Sequence, residues 1–134
     1  MKNIKLSIVI VIALICVVSM IACGSDDKGV LRLGLDAEIV EIDADNQWLY
    51  VKGMGLDGEY YFGEKQLLDC KKTIETAAIL YVNYSAENEV KSIPFGELQV
   101  GDAVIIGAYD EELRKSTNNM ITVEQVQLSS QRLS

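Results

Sequence analysis

From Leu31 onward, apolar and polar residues alternate. Leu31, Leu33, Leu35, Ala37 and Ile39 share one parity, with Arg32, Gly34, Asp36 and Glu38 between them. A period of two predicts a β-strand with one buried face. At Ile39-Val40 the parity flips, and Val40 and Ile42 carry the pattern on even numbers. A flip inside a strand predicts a β-bulge, where one extra residue re-aims the chain. A long, bent first strand of this kind suits a small closed barrel. Asp43-Ala44-Asp45-Asn46 has the composition of a turn, and Gln47 to Met54 predicts a second strand paired with the first. Gly55 to Gly58 predicts another turn, followed by a short third strand, Glu59-Tyr60-Tyr61-Phe62.

The period then changes. Leu67, Cys70, Ile74 and Ala77 recur at spacings of three and four with charged residues between them, which predicts a short amphipathic helix. Ala78 to Tyr84 returns to strand, Ser85 to Asn88 turns, and Glu89 to Ile93 pairs back. Pro94, the single proline, predicts a tight bend or helical turn over Phe95-Gly96-Glu97. Gly101 suits a positive φ, and the Asp102 side chain suits a bond to a nearby backbone amide. Ala103 to Tyr109 is apolar on both parities and predicts a central strand. Asp110 to Asn119 reads as a polar loop, Met120 to Leu128 as a last strand with a phase change between Val123 and Val126, and residues 129–134 as a tail.

The expected protein is mainly β, with five to seven strands and one short helix. Three strands, a helix and further strands is the order of the OB-fold. The pattern Ile93-x-Phe95-x-x-Leu98-x-Val100-Gly101-Asp102-x-Val104-x-Ile106 resembles OB-like barrel domains of small Gram-positive lipoproteins, over roughly residues 35–128. The resemblance implies a small closed or partly open β-barrel domain over 31–128. It brings no catalytic residues with it.

The first 22 residues form a different unit. Met1-Lys2-Asn3-Ile4-Lys5 opens with positive charge, and Leu6 to Ala22 is apolar except for Ser7 and Ser19. A basic start, an apolar middle and a small residue before a break predict an export signal helix. The run also approaches the ~20 residues that span a bilayer, so an uncleaved transmembrane anchor is the alternative. Met20-Ile21-Ala22-Cys23 resembles the lipobox of bacterial lipoproteins. That resemblance implies cleavage before Cys23, a diacylglyceryl thioether on its sulfur, and a chain held at the extracytoplasmic face of the cell membrane. Two acyl chains anchor stably where one does not. Residues 23–30 read as a solvated tether.

Cleavage before Cys23 leaves 112 of the 134 residues, enough for one domain. Losing Lys2 and Lys5 from the 12 basic residues leaves 10 against 20 acidic ones, a net charge of −10. That charge excludes nucleic acid as a partner, because phosphate binding draws on Lys and Arg and Lys71-Lys72 is the one basic pair of note. It equally disfavours electrostatic docking on anionic lipid. Cys16 leaves with the signal and Cys23 is taken by lipid, so Cys70 is alone and expected to be a buried apolar residue. With no histidine, no serine or cysteine nucleophile has an imidazole base, and zinc is not expected.

Three motifs invite chemistry. Gly53-Met54-Gly55-Leu56-Asp57-Gly58 spells G-x-G-x-x-G, but a dinucleotide site needs a helix after it and a βαβ unit around it, so a hairpin loop is expected. Asp43-x-Asp45-x-Gln47 starts like a calcium loop and then has Trp48 and Met54 where glycine and glutamate belong; a weak surface site on Asp43 and Asp45 stays open. Tyr60 and Tyr61, adjacent on a strand, are expected to face opposite ways and to expose a ring. The chain is thus expected to be a non-catalytic binding or accessory module without cofactor or metal, facing an envelope protein, peptide or cell-wall glycan. A small carboxylate-dependent hydrolase, with or without a metal, is the alternative.

Overall fold

The computed structural model describes residues 29–115 and 119–133. The expected signal (1–22), its Met20–Cys23 box and most of the tether lie outside the described residues. Among the described residues are eight strands: β1 Leu31–Asp43, β2 Trp48–Gly53, β3 Gln66–Asp69, β4 Ile79–Asn83, β5 Glu89–Ser92, β6 Ala103–Tyr109, β7 Ile121–Thr122 and β8 Gln125–Leu128. Three helices accompany them: α1 Gly55–Phe62, α2 Lys71–Glu75 and α3 Asp110–Leu113.

The strands form one mixed sheet in the order β5-β4-β8-β6-β1-β2-β3-β7. The β3–β7 and β4–β8 pairs are parallel and the others antiparallel. This corrects the expected OB-like barrel of five to seven strands with one helix: the sheet is open, has eight strands and carries three helices. The physical reason is that pairing partners do not follow from strand count. Two strands, β4 and β5, extend the sheet beyond β8 and end in a free edge. The sheet is nevertheless coiled. Only Val123 and Glu124 separate β7 from β8, a reach of about 11 Å. Five strand spacings on a flat sheet would separate them by about 24 Å.

The inner face carries the core: Leu35, Ala37 and Ile39 on β1, Leu49 and Val51 on β2, Val104, Ile106 and Ala108 on β6, and Val126 and Leu128 on β8, all buried. The expected bulge is present, as a register shift of β1 against β2 between Ile39 and Glu41. A second shift, against β6 between Arg32 and Leu35, was not foreseen. It turns Leu31 and Leu33 off the core face although they share the parity of Leu35. Both are exposed, and a Leu33 methyl lies over Gly107, 2.7 Å from where a Cβ there would stand.

Residues 55–62, expected as turn plus strand, form α1. Its place is set by glycine. A Cβ on Gly58 would stand 1.9 Å from the Asp36 carbonyl oxygen, and one on Gly53 1.9 Å from the Gly58 oxygen. Helix and strand backbones therefore touch, and Phe62 is buried beneath the helix end. The helix expected around Leu67, Cys70, Ile74 and Ala77 is confined to Lys71–Glu75, because Gln66–Asp69 pairs with β2. Gln66, Leu68 and Cys70 are the buried alternate positions there. The polar amide at 66 masked the period of two; it donates to the carbonyl of Asn119 at 2.6 Å.

Several local expectations hold. β4 and β5 form the foreseen hairpin, and Phe95–Glu97 is a 3₁₀ turn. Gly101 has φ +95°, and the Gln99 amide donates to the Asp102 carboxylate at 2.8 Å. β6 lies inside the sheet between β8 and β1. Residues 129–133, expected as a tail, run along the sheet: Arg132 donates twice to Asp102, at 2.7 and 2.8 Å, and the Tyr81 hydroxyl donates to the Leu133 carbonyl.

Candidate functional site

The chain enters the described body at Gly29, which sits against α3. Its φ is +79°, and a Cβ there would stand 3.1 Å from Asp110 Cβ and 3.8 Å from an Arg114 guanidinium nitrogen. Asp110 ties this entry to β1 twice. Its amide donates to the Val30 carbonyl at 3.0 Å, and its carboxylate accepts from Arg32 Nε. Leu113 on the same short helix is buried and roots it in the core. The bond to Asp110 raises the pKa of Arg32 above an already high value, so this guanidinium is a permanent cation.

α1 forms the opposite wall. The Arg32 guanidinium lies 5.8 Å from the Tyr61 ring centre, and Tyr61 meets Tyr60 edge to face at 5.1 Å. In a helix, neighbouring side chains diverge by about 100° rather than pointing oppositely. Tyr61 accordingly packs on the core margin while Tyr60 is 82 % exposed. Leu56, one turn earlier on the same face, is 91 % exposed. Arg32, Tyr60, Tyr61, Asp110, Leu113 and Arg114 enclose a hollow of about 470 Å³. Its long-range pair, Arg32 with Asp110, is 78 residues apart in the chain and left no sequence signal. The Leu56–Tyr60 spacing of four is all that marks this helix in the sequence, too little to outweigh the aromatic run after Gly58.

A second surface lies at the β5 edge, four strands from β1. All four β5 residues are exposed. An edge strand offers unpaired backbone donors and acceptors. Beside it, Lys91, Ser92, Pro94, Glu97 and Arg132 border a hollow of about 470 Å³.

The remaining sequence candidates are distributed as follows. Cys23 lies outside the described residues. Cys70 is fully buried, and burial pushes its thiol up to about 12. Asp43 accepts from the Asn46 amide and side chain at 3.2 and 2.8 Å, a closed Asx turn, and those bonds lower its pKa. Asp45 is exposed. Among the described residues no group of three or more side chains is placed to hold a metal ion. The G-x-G-x-x-G stretch runs into a helix, contrary to expectation, with Gly55 to Gly58 inside α1, yet β2 and β3 on either side are antiparallel. Its outer glycines are occupied by helix–strand contact rather than open to a phosphate.

Six acidic groups lie in separate ion pairs: Arg32–Asp110, Lys52–Glu38, Lys65–Glu41, Lys72–Glu124, Lys115–Glu112 and Arg132–Asp102. Burial raises the pKa of Asp102, but bonds from Arg132 and the Gln99 amide outweigh it and the net shift is down. Glu112 is likewise lowered, by Lys115 and the Thr122 amide against burial. Glu124 keeps one oxygen on Lys72 at 2.6 Å and buries the other without a partner. Among the described residues no helix is long and apolar enough to cross a membrane. No protein-family model, curated protein or solved structure matches the chain.

Proposed function

We propose that this chain is a lipid-anchored, extracytoplasmic binding module with no catalytic machinery of its own, held at the cell membrane through acyl chains on Cys23. The observation that carries the proposal is the Met20-Ile21-Ala22-Cys23 box at the end of an apolar run, six residues before Gly29, which packs against Asp110. The three polar residues that are buried among those described, Gln66, Thr73 and Asp102, all support a structural rather than chemical use. Gln66 holds backbone carbonyls, Thr73 donates to the Cys70 carbonyl, and Asp102 holds Gln99 and Arg132.

The surface offered to a partner is the β5 edge. An extended peptide segment of an envelope protein fits it by adding a strand, with backbone bonds supplying affinity. A carboxylate hydrolase finds less support. It needs converging acids with one pKa raised, whereas the shifted carboxylates Asp43, Asp102 and Glu112 are all lowered.

The test is Cys23→Ala. The native chain is expected in the membrane fraction with the added mass of a diacylglyceryl group on an N-terminal Cys23 peptide. The variant is expected to lose both. Membrane retention and mass unchanged by the substitution would refute the anchor.

A further inference from the structure

We infer that the end of the body next to the tether lies against the bilayer, with Leu56, Tyr60 and Val30 entering the boundary between headgroups and acyl chains. This rests on the lipid anchor at Cys23 and adds an orientation to it.

Four observations converge. First, β1 with Val30 before it and α1 with Met54 before it carry six of the ten exposed large apolar side chains among the described residues: Val30, Leu31, Leu33, Met54, Leu56 and Tyr60. Second, these two segments are joined by direct contacts. Gly29 lies against Asp110, Asp110 binds Arg32, Arg32 lies over Tyr61, and Tyr61 meets Tyr60. The exposed helix face is therefore a neighbour of the point where the tether enters. Third, six Cα steps separate Cys23 from Gly29, a reach of at most about 22 Å. A body anchored at Cys23 cannot hold this end far from the membrane. Fourth, the chemistry suits an interface. Leucine favours hydrocarbon, and tyrosine has an apolar ring and a polar tip that stays wet. Arg114 borders the same hollow with its charged head on a long stem, a form that suits a headgroup phosphate while the stem covers apolar surface; Arg32 is held by Asp110.

The net acidity of the chain excludes docking by charge alone, so the contact is apolar. It need not be strong. The anchor makes the second contact intramolecular, at an effective concentration in the millimolar range. Exposed apolar surface this dense on a soluble body marks an interaction site. The other occupant such a face admits is a second copy of the chain, and the experiment separates the two.

The experiment uses the full lipidated chain in vesicles of equal parts phosphatidylethanolamine and phosphatidylglycerol. A single fluorophore is attached at Leu56→Cys, Tyr60→Cys or, for comparison, Asp45→Cys, in the turn at the other end of β1. Cys70 is buried and Cys23 is alkylated, so neither competes for the label. Leu56 and Tyr60 are mostly exposed, and their replacement leaves the core intact. Brominated lipid is expected to quench the labels at 56 and 60 at least twofold and to leave the label at 45 unchanged, at every protein density. Equal quenching at 45 and 56, or none at 56 on vesicles that carry the protein on flotation, overturns the orientation while the anchor stands. Absence of the protein from floated vesicles overturns both. Change at 56 that appears only as protein density rises, with cross-links between two 56 positions, overturns the lipid contact in favour of a dimer.

Discussion

Gly58→Ala sets two effects of opposite sign against each other. Inside a helix, alanine is favoured over glycine by about 1 kcal/mol, so propensity predicts stabilisation. Packing predicts the reverse. The new Cβ would stand 1.9 Å from the Asp36 carbonyl oxygen, where ordinary carbon–oxygen contact begins near 3.3 Å. The overlap is about 1.4 Å, and both partners are backbone. β1 cannot yield without breaking its ladders to β2 and β6, so α1 must lift. Lifting thins the packing around buried Phe62, and a gap of 0.5–1 Å already forfeits roughly a quarter to a half of each contact. Overpacking of this kind costs about 1–3 kcal/mol, and two rigid backbones place it at the upper end. Net of propensity, the variant should lose about 2 kcal/mol, which lowers Tm by about 10 °C in a domain this size. Gly34→Ala is the control, since a Cβ there meets nothing within 4 Å; it should be neutral or slightly stabilising. Thermal unfolding of the protein, followed by circular dichroism, measures both. A Gly58→Ala protein as stable as the native one, or more so, would refute the packing role of the glycines and reopen the G-x-G-x-x-G stretch as a loop free to meet a ligand.

Asp102→Asn should destabilise by about 2–3 kcal/mol at neutral pH, because it leaves Arg132 without its charged partner. The Asp102 carboxyl is held below its ordinary value of 3.8. Its contribution is therefore whole above that value and fades as pH falls through the lowered folded one. Urea unfolding should show the gap between the two proteins narrowing as pH falls below 3.8; a gap that widens in acid would refute the ion pair. The Cys70 thiol, pushed up to about 12, should resist iodoacetamide at pH 8 in the folded chain and react fully in urea. Native labelling at the rate of a free thiol would contradict its burial. Thr73→Ala should cost about 1 kcal/mol by removing the 2.6 Å bond to the Cys70 carbonyl that starts α2; unchanged unfolding in urea would show that the bond adds nothing.

Much of the strand inventory was legible because it is local. The bulge near Ile39, the β4–β5 hairpin, the Gly101-Asp102 turn and the interior strand Ala103–Tyr109 each follow from a few consecutive residues. α1 was not legible. Glu59-Tyr60-Tyr61-Phe62 is aromatic enough for a strand, and what makes it helical is the close approach of Gly58 to Asp36, 22 residues earlier. β3 was hidden by one buried amide, Gln66, whose partner at Asn119 is distant in sequence. Leu31 and Leu33 looked buried by parity and are not, since a bulge against β6 intervenes. The hollow of Arg32, Tyr60 and Asp110 joins three such segments and had no signature at any one of them.

The amino-acid order by itself determined most of the extended stretches and several of their turns, the acidity of the chain, the absence of an imidazole, and the lipobox-like end of the apolar run. These are properties of neighbours within a few residues, set by backbone sterics and alternating solvation. Tertiary structure alone decided that the described strands make an open, coiled sheet of eight, that the glycines serve helix–strand contact, and that the exposed side chains of Leu56 and Tyr60 stand near the start of β1. Each of these depends on pairs far apart in the chain, whose free energy comes from burying shared surface, and a local pattern does not record which distant surface that is.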